Sequence, residues 1–308
     1  MADAPVRNAV EVQRLADDAL RDVKRAHRPF PLVRIGLWAL TAVVAAGFAW
    51  IVAVNPNFGW PVVARYFFDP TVMQGLSVTL GLTIVAMMLG IVLGLALAIA
   101  RMSKDRLASS LSGLFIWFFR GTPLLVQLIF WYNMSTLFPR ISIGIASWET
   151  NDLITPLTAA ILGLALNEAA YMAEIIRGGL LSVDKGQAET AEAFGMTRAR
   201  ALWRVILPQA MKSIVPPTGN QLISMIKATS LVSVIAMADL LYSVQSIYNR
   251  TFEIIPLLLV AVLWYLLITS ILNVGQGAIE RYYSRGERGA QAGANGKFAA
   301  PAEVVDAR

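Results

Sequence analysis

Long apolar runs separated by short charged segments organise this chain. The first, Ile35–Val54, reads IGLWALTAVVAAGFAWIVAV. It has the roughly 20 residues that a helix needs to cross a bilayer core. Gly75–Ala100, Leu111–Phe138, Pro156–Ile176, Ser213–Ala236 and Ile255–Ala278 follow. Pro216, Pro217, Asn220, Gln221 and Lys227 interrupt the fifth. The pattern predicts an all-α membrane protein with six transmembrane helices in one membrane domain. Buried helices of a soluble core do not account for six runs of this length. Trp38, Trp50, Trp60, Tyr66, Trp131, Trp148 and Tyr283 fall mostly near the proposed span ends, as interfacial aromatic residues do.

Composition agrees. The chain is 56% hydrophobic and only 15% charged, with a mean hydropathy of +0.59, outside the range of ordinary soluble domains. Lys and Arg set the orientation. With the N-terminus inside, the outer segments hold only Arg65, Arg140 and Arg250, and the remaining cations, apart from Lys227 within the fifth run, cluster in the inner segments. Both termini are therefore expected in the cytoplasm. The net charge of +6 reads as a topology signal and a grip on anionic lipid headgroups. No compact soluble domain carries that charge, so it is no nucleic-acid footprint.

Residues 1–34 form a mixed-charge leader ahead of a full-length span, unlike a cleavable signal peptide. Val6, Val10, Ala16, Ala19, Leu20 and Val23 fit either an amphipathic surface helix or a loosely ordered cytosolic leader. The Gly- and Ala-rich stretch 284–308 reads as a disordered cytoplasmic tail.

Several chemistries are excluded. Without cysteine there is no thiolate catalysis, disulfide or thiolate metal site. The single histidine, His27, lies in the leader, so no span holds a Ser-His-Asp group or a histidine metal site. Gly289, Gly293, Gly296 and Lys297 lack phosphate-loop spacing, and Phe298 stands where Ser or Thr would bind magnesium. No cofactor or nucleotide site is expected in this chain.

The segment after the fourth run, 178–212, is too ordered for a simple connector. Ala188 to Phe194 gives about two helical turns, with Ala188 and Ala191 as small residues on one face. Small side chains let a helix enter a partner's groove, while Glu189 and Glu192 present charge to its rim. Gly195 permits a turn, Thr197 can cap a further helix, and Pro208 marks that helix's end near the next span. The alternative is a solvated loop with a chance amphipathic turn.

Polar residues inside the runs suggest a pathway. Asn167, Tyr171 and Glu174 share one helix face, with Glu168 adjacent. Glu168 lies about 13 Å inward from Arg177 at 1.5 Å per residue, near the midplane. Asn220, Ser224 and Lys227 form a second stripe. A charge at that depth is costly unless paired or hydrated. One reading makes Glu168, Asn220 and Lys227 a translocation site, with Lys227 near a solute carboxylate and Glu168 near its ammonium. The other pairs Glu168 and Lys227 with each other, or with backbone at a helix break, to hold the bundle, leaving Asn167 and Tyr171 as packing residues. Arg120-Gly121-Thr122-Pro123 reads as a helix start or kink, with subunit contact as the alternative, and Gly90 and Gly94 read as a close helix contact.

Five motifs resemble those of permease subunits of bacterial polar amino acid ABC importers, the histidine, glutamine, glutamate and opine type. They are Arg120-Gly121-Thr122-Pro123-Leu124-Leu125-Val126-Gln127-Leu128; Ala170-Tyr171-Met172-Ala173-Glu174-Ile175-Ile176-Arg177-Gly178-Gly179; the loop Gly186-Gln187-Ala188-Glu189-Thr190-Ala191 with Gly195 and Ile206-Leu207-Pro208; Pro216-Pro217-Thr218-Gly219-Asn220-Gln221; and Lys227-Ala228-Thr229-Ser230-Leu231. The resemblance spans residues 71–283 and implies a five-span permease core, to which Ile35–Val54 adds an extra N-terminal span. Thr190 replaces the family's usual middle alanine, and Glu168 replaces a small residue.

What the resemblance implies is a transport subunit, not an enzyme, in the bacterial cytoplasmic (inner) membrane. It implies ATP and magnesium on a separate ABC ATPase subunit dimer and a second permease subunit, identical or paralogous. A solute-binding protein would dock on the outer loops at 55–74, 138–155 and 230–254. Gly186, Gln187, Ala188, Glu189, Ala191, Glu192 and Gly195 would couple to the ATPase. An ATP-independent channel or secondary transporter fits Glu168 and Lys227 equally, but leaves the ordered loop unexplained and lacks visible internal halves.

Overall fold

A computed structural model describes the backbone of residues 32–143 and 146–297, with side chains of 33–142 and 147–283. The calls on residues 1–31 and 298–308 lie outside the described residues. The chain divides into two compact units at Phe58 and Gly59. The first holds α1 (Leu32–Val54), an apolar helix of spanning length with no buried residue among its described side chains, and a 3-10 turn at Pro56–Phe58.

The second unit begins with α2 (Trp60–Tyr66) and α3 (Pro70–Arg101). Asp69 caps α3 by accepting from the Thr71 N–H at 2.8 Å, and Pro70 occupies the first turn, where its missing N–H costs nothing. Next come α4 (Arg106–Gly121), capped by Asp105, and α5 (Leu124–Tyr132). The two are bent by 102°. The run Leu111–Phe138, expected as one span, is thus a broken pair. Pro123 has no N–H and forces Thr122 out of helical conformation, to φ −115° and ψ 145°.

A short α6 (Met134–Leu137) leads to the antiparallel strands β1 (Arg140–Ile143) and β2 (Ala146–Glu149), where Arg140 pairs with Glu149 at 2.7 Å. After α7 (Thr150–Leu153), α8 (Pro156–Leu181) starts on a Thr155–Thr158 capping box and runs past the expected inner end at Ile176.

Helix α8 is the core of the unit. Gly90 and Gly94 of α3 lie against it so closely that a Cβ on Gly94 would sit 2.6 Å from the Met172 Cβ. That is the close contact expected of the pair. On another side, Gly179 admits Ile214, with a Cβ there only 2.2 Å from Ile214 Cγ1.

The inner segment folds as α9 (Lys185–Ala193), α10 (Arg198–Ala201), a π-helical turn (Leu202–Ile206) and α11 (Leu207–Ala228). Pro208 was expected to end a helix; instead it lies in the first turn of α11. The widened turn, closed by the Leu207 N–H on the Leu202 carbonyl, carries the helical path past the residue that cannot donate. Pro216 and Pro217 likewise lie within α11 without ending it.

A 3-10 segment (Thr229–Ile235) then leads to α12 (Leu240–Thr251) and α13 (Ile254–Lys297). The stretch from Arg198 to Ile235 meets α12 at a 46° bend. Among the described residues four helices are therefore long and apolar enough to cross a membrane, or up to six if each bent pair is one span. Helix α13 continues through 284–297, where a disordered tail was expected. An existing helix extends without a new nucleation cost.

Candidate functional site

Helices α8 and α11 pack in opposite directions. Gln221 Nε2 donates to Glu168 Oε2 at 3.0 Å, Ile214 fills the Gly179 gap, and Ser182 Oγ meets Ser213 Oγ at 2.9 Å. Asn167 and Asn220 each precede a residue of the Glu168–Gln221 contact, so each is turned about 100° from it. Because the helices are antiparallel, both turn to the same side. The expected stripe of Asn167, Tyr171 and Glu174 on α8 and that of Asn220, Ser224 and Lys227 on α11 therefore share one polar side. The α11 stripe begins at Ser213 and Pro217, and all five of its residues are exposed.

The opposite side of the same pair is apolar. Met172, Ile176, Met211, Val215 and Leu222, with Ile84, Met88, Ile91 and Leu95 of α3, line a cavity of about 580 Å³ there. Leu80, Ile84, Met88, Val92, Leu95 and Ile99 expose apolar surface along α3. Lipid accepts that face at no cost, whereas the polar side requires water or another protein surface.

Glu168 does not join the polar side. It is 1% exposed, held between Gly90 and Gln221, and its Oε1 has no hydrogen-bond partner among the described residues. Lys227, at the end of the α11 stripe, lies away from Glu168, beside Ser230, Tyr265 and Thr269 between α11 and α13. Among the described residues no ion pair joins Glu168 and Lys227, so the expected Glu168–Asn220–Lys227 cluster and the alternative pairing are both corrected. One residue of helical phase separates Glu168 from Asn167 and Gln221 from Asn220, and it sends Glu168 and Gln221 inward.

The acid on the polar side is Glu174, whose Oε2 accepts from Arg177 at 2.7 Å. The Arg120 guanidinium lies 5.3 Å from the Tyr171 ring centre. Asn167 Nδ2 donates to the Phe119 carbonyl at 2.9 Å and to Gln127 Oε1 at 3.3 Å. Gln127 Nε2 in turn contacts the Phe119 and Thr122 carbonyls at 3.0 and 3.1 Å. These amides satisfy backbone groups released by the α4–α5 break. Sequence reasoning missed Gln127 and Gln221 as partners, although a lone amide in an apolar run was the available signal.

In the inner segment Asp184 caps α9 by accepting from the Gly186 N–H at 2.6 Å. Gly195 has φ +71° and its N–H reaches the Glu192 carbonyl at 2.9 Å. That left-handed conformation suits glycine. Thr197 caps α10. Gln187, Ala188, Glu189, Glu192 and Gly195 are exposed, Gly186 is half-buried, and Phe194 is 81% exposed. Ala191 is the exception. It is buried under its own chain, so it cannot share an outward face with Ala188 as expected.

A family model described as the inner membrane component of binding-protein-dependent transport systems matches residues 86–285. The chain belongs to this family. The family consists of transport permease subunits, not enzymes, and does not favour an ATP-independent channel or secondary transporter. The chain is 43% identical over 261 residues to the arginine transport system permease protein ArgU of Corynebacterium glutamicum, covering 83% of each chain. It is 35% identical to the glutamine transport system permease protein GlnP of Escherichia coli K12, covering 72% of this chain and 94% of the relative. A solved amino acid ABC transporter with histidines aligns at a TM-score of 0.63 and 36% identity, covering 71% of this chain and 97% of that one.

Proposed function

We propose that this permease is the transmembrane subunit of an ABC importer that carries a polar amino acid or related solute inward. The observation that carries this reading is the shared polar side of α8 and α11, on a chain whose relatives include arginine and glutamine permeases. A second permease subunit, identical or paralogous, faces that side and encloses the pathway with it. Asn167, Tyr171, Glu174, Asn220, Ser224 and Lys227 line the path. Glu168, with Gln221, holds α3, α8 and α11 together behind it.

Each bent pair counts as one span, giving six spans with both termini on the cytoplasmic side of a bacterial inner membrane. Residues 178–212 meet a dimer of ATPase subunits that binds ATP and magnesium. Gln187, Ala188, Glu189 and Glu192 form the outward contact, Gly186 and Gly195 shape the turns, and Ala191 anchors α9 from within. A solute-binding protein delivers the solute to the opposite face.

Affinity isolation from detergent-solubilised membranes, with partners identified by mass spectrometry, tests the assembly. An ATPase subunit is expected with the wild-type chain and is expected to be lost with Gly195→Asp. Recovery of the chain alone, with solute uptake in vesicles lacking ATP, would overturn the reading.

A further inference from the structure

We infer that the hairpin of β1 and β2 is a membrane-surface anchor, with one face seated among the phospholipid headgroups of the outer leaflet. This goes beyond the importer reading and requires only that α8 crosses the bilayer, with residues 178–212 on the opposite side. The strand register sorts the hairpin's side chains into two unlike faces. Arg140 pairs with Glu149, Ile141 with Trp148 and Ser142 with Ser147. Paired residues share a face, and neighbours along a strand alternate. Arg140, Ser142, Ser147 and Glu149 therefore make a polar face, closed by the 2.7 Å ion pair. Ile141 and Trp148 lie on the other face, where Trp148 is 46% exposed. Leu137, Phe138 and Leu153, just outside the strands, are exposed as well.

The level of the hairpin follows from α8. Counting back from Arg177 at 1.5 Å per residue, the roughly 30 Å hydrocarbon core ends near Leu157. Helix α8 begins one residue beyond it. Thr158 Oγ1 donates to the Leu153 carbonyl at 2.8 Å and so ties α7 to that end. Thr150, fully buried, ties the hairpin to α7. Its N–H donates to the Pro139 carbonyl at 3.0 Å and its hydroxyl to the Phe138 carbonyl. Trp148 is two residues from Thr150, and Ile141 two from Pro139, so each lies at most about 7 Å further along its strand. A hairpin lying along the surface keeps both within the headgroup layer, which is about 5–7 Å deep.

The chemistry of this face fits that layer. A tryptophan ring rests against acyl chains while its N–H meets polar headgroup atoms. Leu157, exposed at the start of α8, continues the apolar surface into the core. A two-stranded hairpin is marginally stable in water by itself, and a lipid surface supplies the missing layer against Ile141 and Trp148. A soluble protein can reach the polar face from outside, whereas the apolar face is at the level where lipid already stands.

The chain has no cysteine, so Ile141→Cys, Ser142→Cys, Ser147→Cys and Trp148→Cys, made singly, each place one nitroxide spin label on the hairpin. The permease–ATPase complex is labelled and reconstituted in phosphatidylcholine–phosphatidylglycerol vesicles, and the wild-type complex treated alike gives the background. Collision with oxygen, which concentrates in lipid, is compared with collision with a nickel chelate that stays in water. The oxygen-to-nickel ratio at Ile141→Cys and Trp148→Cys is expected to be several-fold above that at Ser142→Cys and Ser147→Cys. It should approach the ratio at Val92→Cys, on the exposed apolar side of α3. Ile141→Cys keeps the tryptophan in place, so it decides the matter if Trp148→Cys fails to assemble.

Equal ratios on the two faces, or a nickel-dominated Ile141→Cys, would overturn the proposal and put the face in water. Low collision with both reagents at Ile141→Cys would overturn it equally, since that marks burial against a second protein surface. ATP-driven solute uptake by the same vesicles reports separately on the importer reading.

Discussion

Replacing Gly94 with alanine adds one methyl at the tightest backbone approach between α3 and α8. The new Cβ would lie 2.6 Å from Met172 Cβ and 3.0 Å from both the Ala169 carbonyl and the Ala173 nitrogen. Ordinary contact begins near 3.4 Å, so the helices must part by about 0.8 Å, the difference between 3.4 and 2.6 Å. Two of the three obstructing atoms are backbone and cannot swing aside. Overpacking of this kind costs about 1–3 kcal/mol, while alanine in place of glycine returns roughly 0.5–1 kcal/mol of helix propensity.

A net loss of about 1–2 kcal/mol is expected, a fall in Tm of several degrees for a domain of this size. Thermal unfolding of the detergent-solubilised protein, followed by tryptophan fluorescence, measures it. Gly81→Ala is the control on the same helix, since nothing lies within 4 Å of its Cβ position. That variant should be as stable as the wild type or slightly more so. A Gly94→Ala protein with unchanged or raised Tm would refute the close-packing argument.

Three further outcomes follow from the geometry. Gln127→Leu removes the donor shared by the Phe119 and Thr122 carbonyls and should cost about 1–3 kcal/mol, again visible as a lower Tm. Phe252→Gly should raise Tm, because Phe252 combines φ +62° with a ring that is 84% exposed and glycine relieves the left-handed strain; a lower Tm would show that the ring is held by packing. Glu189→Lys lies on the exposed side of α9, so Tm should move by under about 1 °C, as surface changes usually do. ATPase recovery in the affinity isolation should fall at least tenfold, and undiminished recovery would remove Glu189 from the contact.

Much of the architecture was legible because a bilayer imposes a length rule on apolar runs. Pro156–Ile176 and Ile255–Ala278 could be read from hydropathy alone, and Gly195 and Thr197 could be placed from turn and cap chemistry. The 102° break within Leu111–Phe138 was harder, since the hydropathy of a run is indifferent to its direction. Pro123 signalled a kink, but its angle depends on Gln127 and Asn167 stitching the freed carbonyls to α8.

The sequence by itself determined the apolar runs, the polar stripes and their spacing, because helical periodicity is a local property of the chain. Only the tertiary structure decided which stripe faces which neighbour. The antiparallel contact of α8 with α11 brings Asn167 and Asn220 to one side and turns Glu168 inward to Gln221. It also leaves Lys227 beside α13 and Ala191 beneath its own chain. The physical reason is rotational phase. One residue is about 100° of helix, and only packing between helices fixes where that angle points.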